Sequence, residues 1–127
     1  MLSERHCIKN HLSKASVLSA EAIISCDALD FGCDGGRLDQ TMEFLQDTSI
    51  PAVECNEERY AYLGKPLEKC PLFEEGLMEG AVECNLPRIK CTRNSKVKMT
   101  SKEEMQLEIS TNGPITSKML VFEDLAT

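Results

Sequence analysis

Apolar positions along this chain fall into short runs of differing period. Leu38, Met42 and Leu45 stand at i, i+4 and i+7, the spacing of one buried helix face, and predict a helix from just after Gly36 to about Gln46. Leu18-Ser19-Ala20-Glu21-Ala22-Ile23 predicts a second, shorter helix, with Ser19 as N-cap and Leu18 set against Ile23 at the spacing of a hydrophobic staple. Met1 to Ile8 reads as the end of a helix. Ser101-Lys102-Glu103-Glu104 is a capping box, and the helix it opens is predicted to stop at Asn112-Gly113-Pro114, where Gly permits the turn and Pro forbids continuation. Ile115 to Phe122 then reads as a strand, with Ile115, Met119 and Val121 on one face and Ser117 the exception. Ile50 to Tyr62 reads as loop, Lys65 to Pro71 as turns, and Leu72 to Ile89 sets Gly76 and Gly80 among acidic and apolar residues.

Length narrows this to one modest domain: 127 residues would bury roughly two-thirds of the unfolded surface. The formal charge of -7, from 21 acidic and 14 basic residues, argues against a nucleic-acid partner, which needs clustered Lys and Arg. The basic stretch from Lys90 to Lys102 is interrupted by Cys91, Asn94, Val97 and Met99 and reads as a solvated face. No apolar run is long enough to cross a membrane, and Met1 to His6 lacks the basic start and apolar core of a signal peptide.

Seven cysteines are heavy usage, and without Cys-x-x-Cys pairs they point to disulfides rather than zinc. Cys26 to Cys33 and Cys84 to Cys91 each enclose six residues, wide for a zinc knuckle, so neither a metal nor another cofactor is expected, even with His6 and His11 nearby. An odd count leaves at least one thiol without an internal partner. Adjacent acidic pairs such as Glu57-Glu58 and Glu103-Glu104 need not converge and read as solvated surface.

The most informative stretch is Ser25-Cys26-Asp27-Ala28-Leu29-Asp30-Phe31-Gly32-Cys33-Asp34-Gly35-Gly36, a short cysteine loop running into the Leu38 helix. Gly35 and Gly36 lack a Cβ, so they can adopt φ > 0 or let another chain lie against the backbone. Two readings stay open for them: a tight turn, or the wall of an extended-peptide site.

With Leu18-Ser19-Ala20-Glu21 before it and Asn112-Gly113-Pro114-Ile115 through Val121-Phe122-Glu123-Asp124 far downstream, this loop resembles the papain family of cysteine peptidases, in its cathepsin B-like branch. The resemblance runs from Leu2 to Asp124 and lapses between about Leu72 and Ile89. It implies an α+β fold, here a papain-like fragment comprising mostly the helical half plus the first strand of the β-barrel half. Residues 1–71 would be a helical-half segment, 72–89 an insertion or poorly matching loop, and 90–127 the crossing into the barrel half. It also implies that Gly35 and Gly36 form the backbone edge that pairs with substrate. Arg37 and Leu38 would lie near the pocket for the second residue before the cut, where an aromatic is common in place of Arg37, and Lys118 would occupy the same pocket, where a small or apolar residue is usual.

By an ungapped count the family's catalytic Cys falls several residues before Met1, and its His and Asn fall beyond Thr127. No catalytic residue is therefore assigned, and the chain alone is expected not to hydrolyse peptides. The resemblance pairs Cys26 with Cys70 and Cys55 with Cys91, keeps Cys84 as an alternative to either end, and leaves Cys7 and Cys33 as orphans. It implies peptide or protein substrates, protease inhibitors as further partners, and a lysosomal or extracellular location. Two other classes stay open: a noncatalytic peptide- or inhibitor-binding relative, and a small disulfide-stapled structural protein.

Overall fold

The computed structural model describes residues 1–72 and 84–119. Five α-helices follow in order, α1 (Leu2–Lys9), α2 (Ala20–Cys26), α3 (Leu38–Asp47), α4 (Glu57–Tyr60) and α5 (Lys102–Asn112), with 3₁₀ turns at Gly32–Asp34 and Val53–Cys55. Helix dominates the α+β arrangement. Its β component among the described residues is two antiparallel bridges, Leu18 with Ala52 and Ile50 with Ile89.

Those bridges correct the loop reading of Ile50 to Tyr62, which begins as buried extended chain. Ser19 N donates to Pro51 O (3.0 Å) and Val53 N to Val17 O (2.7 Å), while Ile50 and Ile89 exchange both backbone bonds at 2.8 and 2.9 Å. Three segments distant in sequence thereby satisfy one another's backbone groups, which permits Ile50, Ala52 and Ile89 to be buried. Ala22, Leu45 and Ile50 form the core cluster, with Leu2, Leu18, Ile23, Met42, Phe44, Leu72 and Cys91 packed around it. The predicted staple residues Leu18 and Ile23 are thus both on the core, as are Met42 and Leu45 of the helix face; Leu38, one turn earlier, lies half-buried at its edge.

Ser19 caps α2 by accepting from Ala22 N at 3.0 Å. At α5 the capping box is complete: Ser101 Oγ accepts from Glu104 N (3.1 Å), and Glu104 Oε2 accepts from Ser101 N (3.2 Å). α5 ends at Gly113 with φ of 99° and buries no residue; it is tied to α1 by Arg5, which pairs with Glu108 at 2.5 Å and donates to Pro114 O at 2.9 Å.

The predicted strand is not formed over residues 115–119, and Met119 is 71% exposed. A strand needs a neighbour for its backbone groups, and no described segment forms a ladder with this one. Its remaining positions, 120–122, lie outside the described residues, as do 73–83 of the poorly matching segment.

Cys26 bonds Cys70 and Cys55 bonds Cys84, closing loops of sequence separation 44 and 29. In the chain-entropy account each is worth about 4 kcal/mol. The expected Cys55–Cys91 pairing is corrected by the position of Cys91: its N–H donates to Leu45 O at 2.7 Å and its side chain packs on the core, away from Cys55. Cys7, Cys33 and Cys91 carry free thiols.

Candidate functional site

The loop between α2 and α3 borders a cleft of about 320 Å³. α2 lines it with Ile23 and Ile24, α3 with Leu38 and Thr41, and the loop with Asp27, Asp30, Gly32, Gly35, Gly36 and Arg37.

The loop's shape follows from one carboxylate. Asp30 Oδ1 accepts from Arg37 N and its Oδ2 from the Thr41 hydroxyl, both at 2.6 Å. Arg37 occupies the N-cap position of α3 without a side-chain cap of its own; Asp30, seven residues upstream, instead anchors the helix start through the Arg37 N–H and the Thr41 hydroxyl. A Cβ on Gly36 would fall 2.5 Å from Asp30 Cγ and 2.6 Å from its Oδ1, so glycine is needed for Asp30 to reach. Gly35 is glycine for a different reason: its φ of 108° and ψ of -174° are essentially closed to other residues. Its carbonyl accepts from Phe31 N at 2.9 Å, and the space where a Cβ would stand is open to at least 4 Å.

Charge is distributed unevenly. The Arg37 guanidinium is turned onto Asp39, at 3.2 and 2.9 Å. The Thr41 hydroxyl and the Arg37 N–H hold the Asp30 carboxyl below the usual carboxylate range. Asp27 is only 6% exposed; its Oδ1 accepts from Leu29 N at 3.1 Å, whereas Oδ2 is buried with no hydrogen-bond partner. Burial pushes this carboxyl up, and the neighbouring charge of Asp30 adds to the effect.

Below the loop, α2 presents a buried polar row. Ser19 Oγ donates to Tyr60 O (2.8 Å); fully buried Glu21 accepts from Ser25 Oγ (2.8 Å) and from Leu63 N (2.9 Å); Ser25 Oγ accepts from Leu67 N (2.9 Å). These bonds, with the Cys26–Cys70 disulfide, fix residues 60–70 beside the cleft.

The sequence-derived site residues Gly35, Gly36, Arg37 and Leu38 therefore come together on one cleft, while Lys118 is exposed and is not among its lining residues. Asp27, Asp30 and Thr41 were missed. Asp30 reaches a helix start seven residues away, outside the local window in which caps are recognised. No cysteine or histidine lines the cleft: the Cys33 thiol donates to Gly64 O at 3.6 Å, the Cys7 thiol to Leu12 O at 3.3 Å, and burial raises the Cys91 thiol. No cluster of metal-ligating side chains occurs among the described residues.

The whole chain, residues 1–127, matches the family described as papain family cysteine protease. Cysteine proteinase A of Leishmania mexicana and cysteine proteinase 1 of Leishmania pifanoi are each 34% identical over 59 residues, 46% of this chain and 16% of their own length. Tubulointerstitial nephritis antigen-like protein of Rattus norvegicus is 25% identical over 139 residues, 96% of this chain and 29% of its own length. The chain thus spans less than a third of the length of these curated relatives.

Proposed function

Because the chain belongs to the papain family of cysteine proteases, we propose that it supplies the peptide-binding wall of a cathepsin B-like cysteine endopeptidase. Gly35 and Gly36 are the backbone edge against which an extended peptide lies, and Arg37 and Leu38 border the pocket for the second residue before the cut. Lys118 belongs to the same pocket in this reading. Residues 1–71 belong to the helical half, 72–89 to an insertion or poorly matching loop and 90–127 to the crossing into the barrel half. The observation that carries this reading is the open space around Gly35, at the rim of a cleft with apolar walls from Ile23, Ile24 and Leu38.

The chain binds peptide without cleaving it in this reading, since peptide hydrolysis of this type needs a thiolate and a histidine and the cleft is lined by neither. A noncatalytic relative that holds peptides or protease inhibitors is the second reading, favoured by the same lining. The two disulfides suit the oxidising conditions of a lysosomal or extracellular protein. No helix among the described residues is long and apolar enough to cross a membrane.

Titration of the full chain with a fluorescent extended peptide tests the proposal. Saturable binding is expected, lost in Gly35→Val and without release of product from a fluorogenic peptide amide. Equal binding by Gly35→Val would overturn the edge assignment, and product release by the chain alone would overturn the noncatalytic one.

A further inference from the structure

The peptide-edge reading leaves one buried group without a role. Asp27 is only 6% exposed, lines the same cleft as Gly35 and Gly36, and has an oxygen with no donor pointed at it. An acceptor left this way costs free energy comparable to a lost hydrogen bond. Two resolutions are open to it: an external donor reaching in, or a proton of its own. Oδ2 is closed off from solvent-sized molecules, which excludes the first. The second needs an acceptor, and Asp30 is at hand: three residues on, it lines the same cleft and donates its own N–H to Asp27 O at 3.4 Å. Each Asp30 oxygen already accepts one hydrogen bond, and a carboxylate oxygen has room for two.

We infer that Asp27 keeps a proton on Oδ2 and donates it to the Asp30 carboxylate, so that the pair acts as a positioning latch for the Gly35–Gly36 edge. Asp30 is the hinge of that latch, because it also holds Arg37 N and Thr41 and leaves no room for a side chain at Gly36. When Asp27 loses its proton, two carboxylates face each other with no cation between them. α2 turns only Ile23 and Ile24 toward the cleft and α3 Leu38 and Thr41; the nearby carboxylate Asp39 opposes the Asp30 charge and engages the Arg37 guanidinium. Burial and the Asp30 charge raise the Asp27 carboxyl above the unfolded value. Its contribution to stability is therefore fully present below the ordinary aspartate range and is lost as pH rises through the folded value. Asp30 is shifted the opposite way, so it stays ionised and accepting across that window.

The inference rests on the peptide-edge reading for its functional consequence, but its physical test does not use peptide. In the full chain carrying ¹³C-labelled aspartate carboxyls, the signal absent from Asp27→Asn should titrate above the ordinary aspartate range. Hydrogen-exchange protection of the Arg37 amide, corrected for intrinsic exchange, should fall tenfold or more through that titration. Asp27→Asn, whose amide can donate where the carboxyl did, should keep Arg37 protected throughout. An ordinary titration in the parent chain overturns the latch even if the variant does not fold, and so does an identical pH profile for Arg37 in the parent and in Asp27→Asn. If the exchange results hold while peptide affinity shows no matching pH dependence, the latch stands and the peptide-edge reading fails.

Discussion

Removing the Glu21 carboxylate is the sharpest single test of how α2 holds the neighbouring loop. In Glu21→Ala two donors lose their acceptor, the Leu63 N–H and the Ser25 hydroxyl, both part-buried. Each stranded donor costs about 1–2 kcal/mol at this depth, and the lost γ-methylene of a fully buried side chain costs about 0.8 kcal/mol. Relief from burying a charge offsets part of this, leaving about 3 kcal/mol, a large share of the 5–15 kcal/mol that holds ordinary domains folded. Glu21→Gln keeps the volume and one acceptor, and Ser25 can rotate its hydroxyl to meet the amide, so its cost is about 1 kcal/mol. Urea unfolding of the oxidised chain gives the two differences from midpoints at constant slope, and amide exchange at Leu63 reports the local bond. The reasoning is refuted if alanine and glutamine cost the same, or if Leu63 keeps its protection in the alanine variant.

Gly36→Ala should loosen the start of α3, read as faster exchange at Gln40 and Thr41, whose amides donate to Arg37 O; the effect should shrink when Asp30 is also changed to Ala, since the clash is with its side chain. Among the free thiols, Cys91 should alkylate more slowly than exposed Cys33 near neutral pH, because burial raises its thiol and blocks approach; equal rates would mean that Cys91 is not packed on the core. Arg5, and after it Asn112, holds the Glu108 carboxyl below the usual glutamate range. That contribution is present above the ordinary glutamate value and lost as pH falls through the depressed one, so Arg5→Ala should flatten the acid side of the melting profile. Ser101→Ala should cost about 1 kcal/mol by removing the α5 cap.

What could be read from the chain without a structure was whatever neighbours in sequence decide. The cap at Ser19, the Met42–Leu45 face and the Ser101–Glu104 box each depend on residues within one or two turns, and all three form. The glycine pair was visible because only Gly lacks a Cβ, which Gly35 needs for its φ of 108° and Gly36 for the close approach of Asp30. Three features escaped because their partners are remote. Ile50 and Ala52 look like loop until Ile89 and Leu18 are brought alongside. Residues 115–119 have the alternation of a strand but lack a described neighbour. Cys84 and Cys91 were indistinguishable by spacing, and what separates them is a backbone bond from Cys91 to Leu45. Within the site, the apolar wall at Leu38 was legible, whereas Asp30 acts across a loop and carries no local signature.

The two disulfides interleave: Cys55 lies between Cys26 and Cys70, and Cys70 lies between Cys55 and Cys84. Any single peptide bond cut between Cys26 and Cys84 therefore leaves a bridge joining the two pieces. A nick on the cleft loop, in the Lys65–Pro71 turns or in the segment that follows would leave one covalent molecule, divisible only after reduction. For a chain whose relatives include proteinases, the cross-linking separates being cleaved from being taken apart.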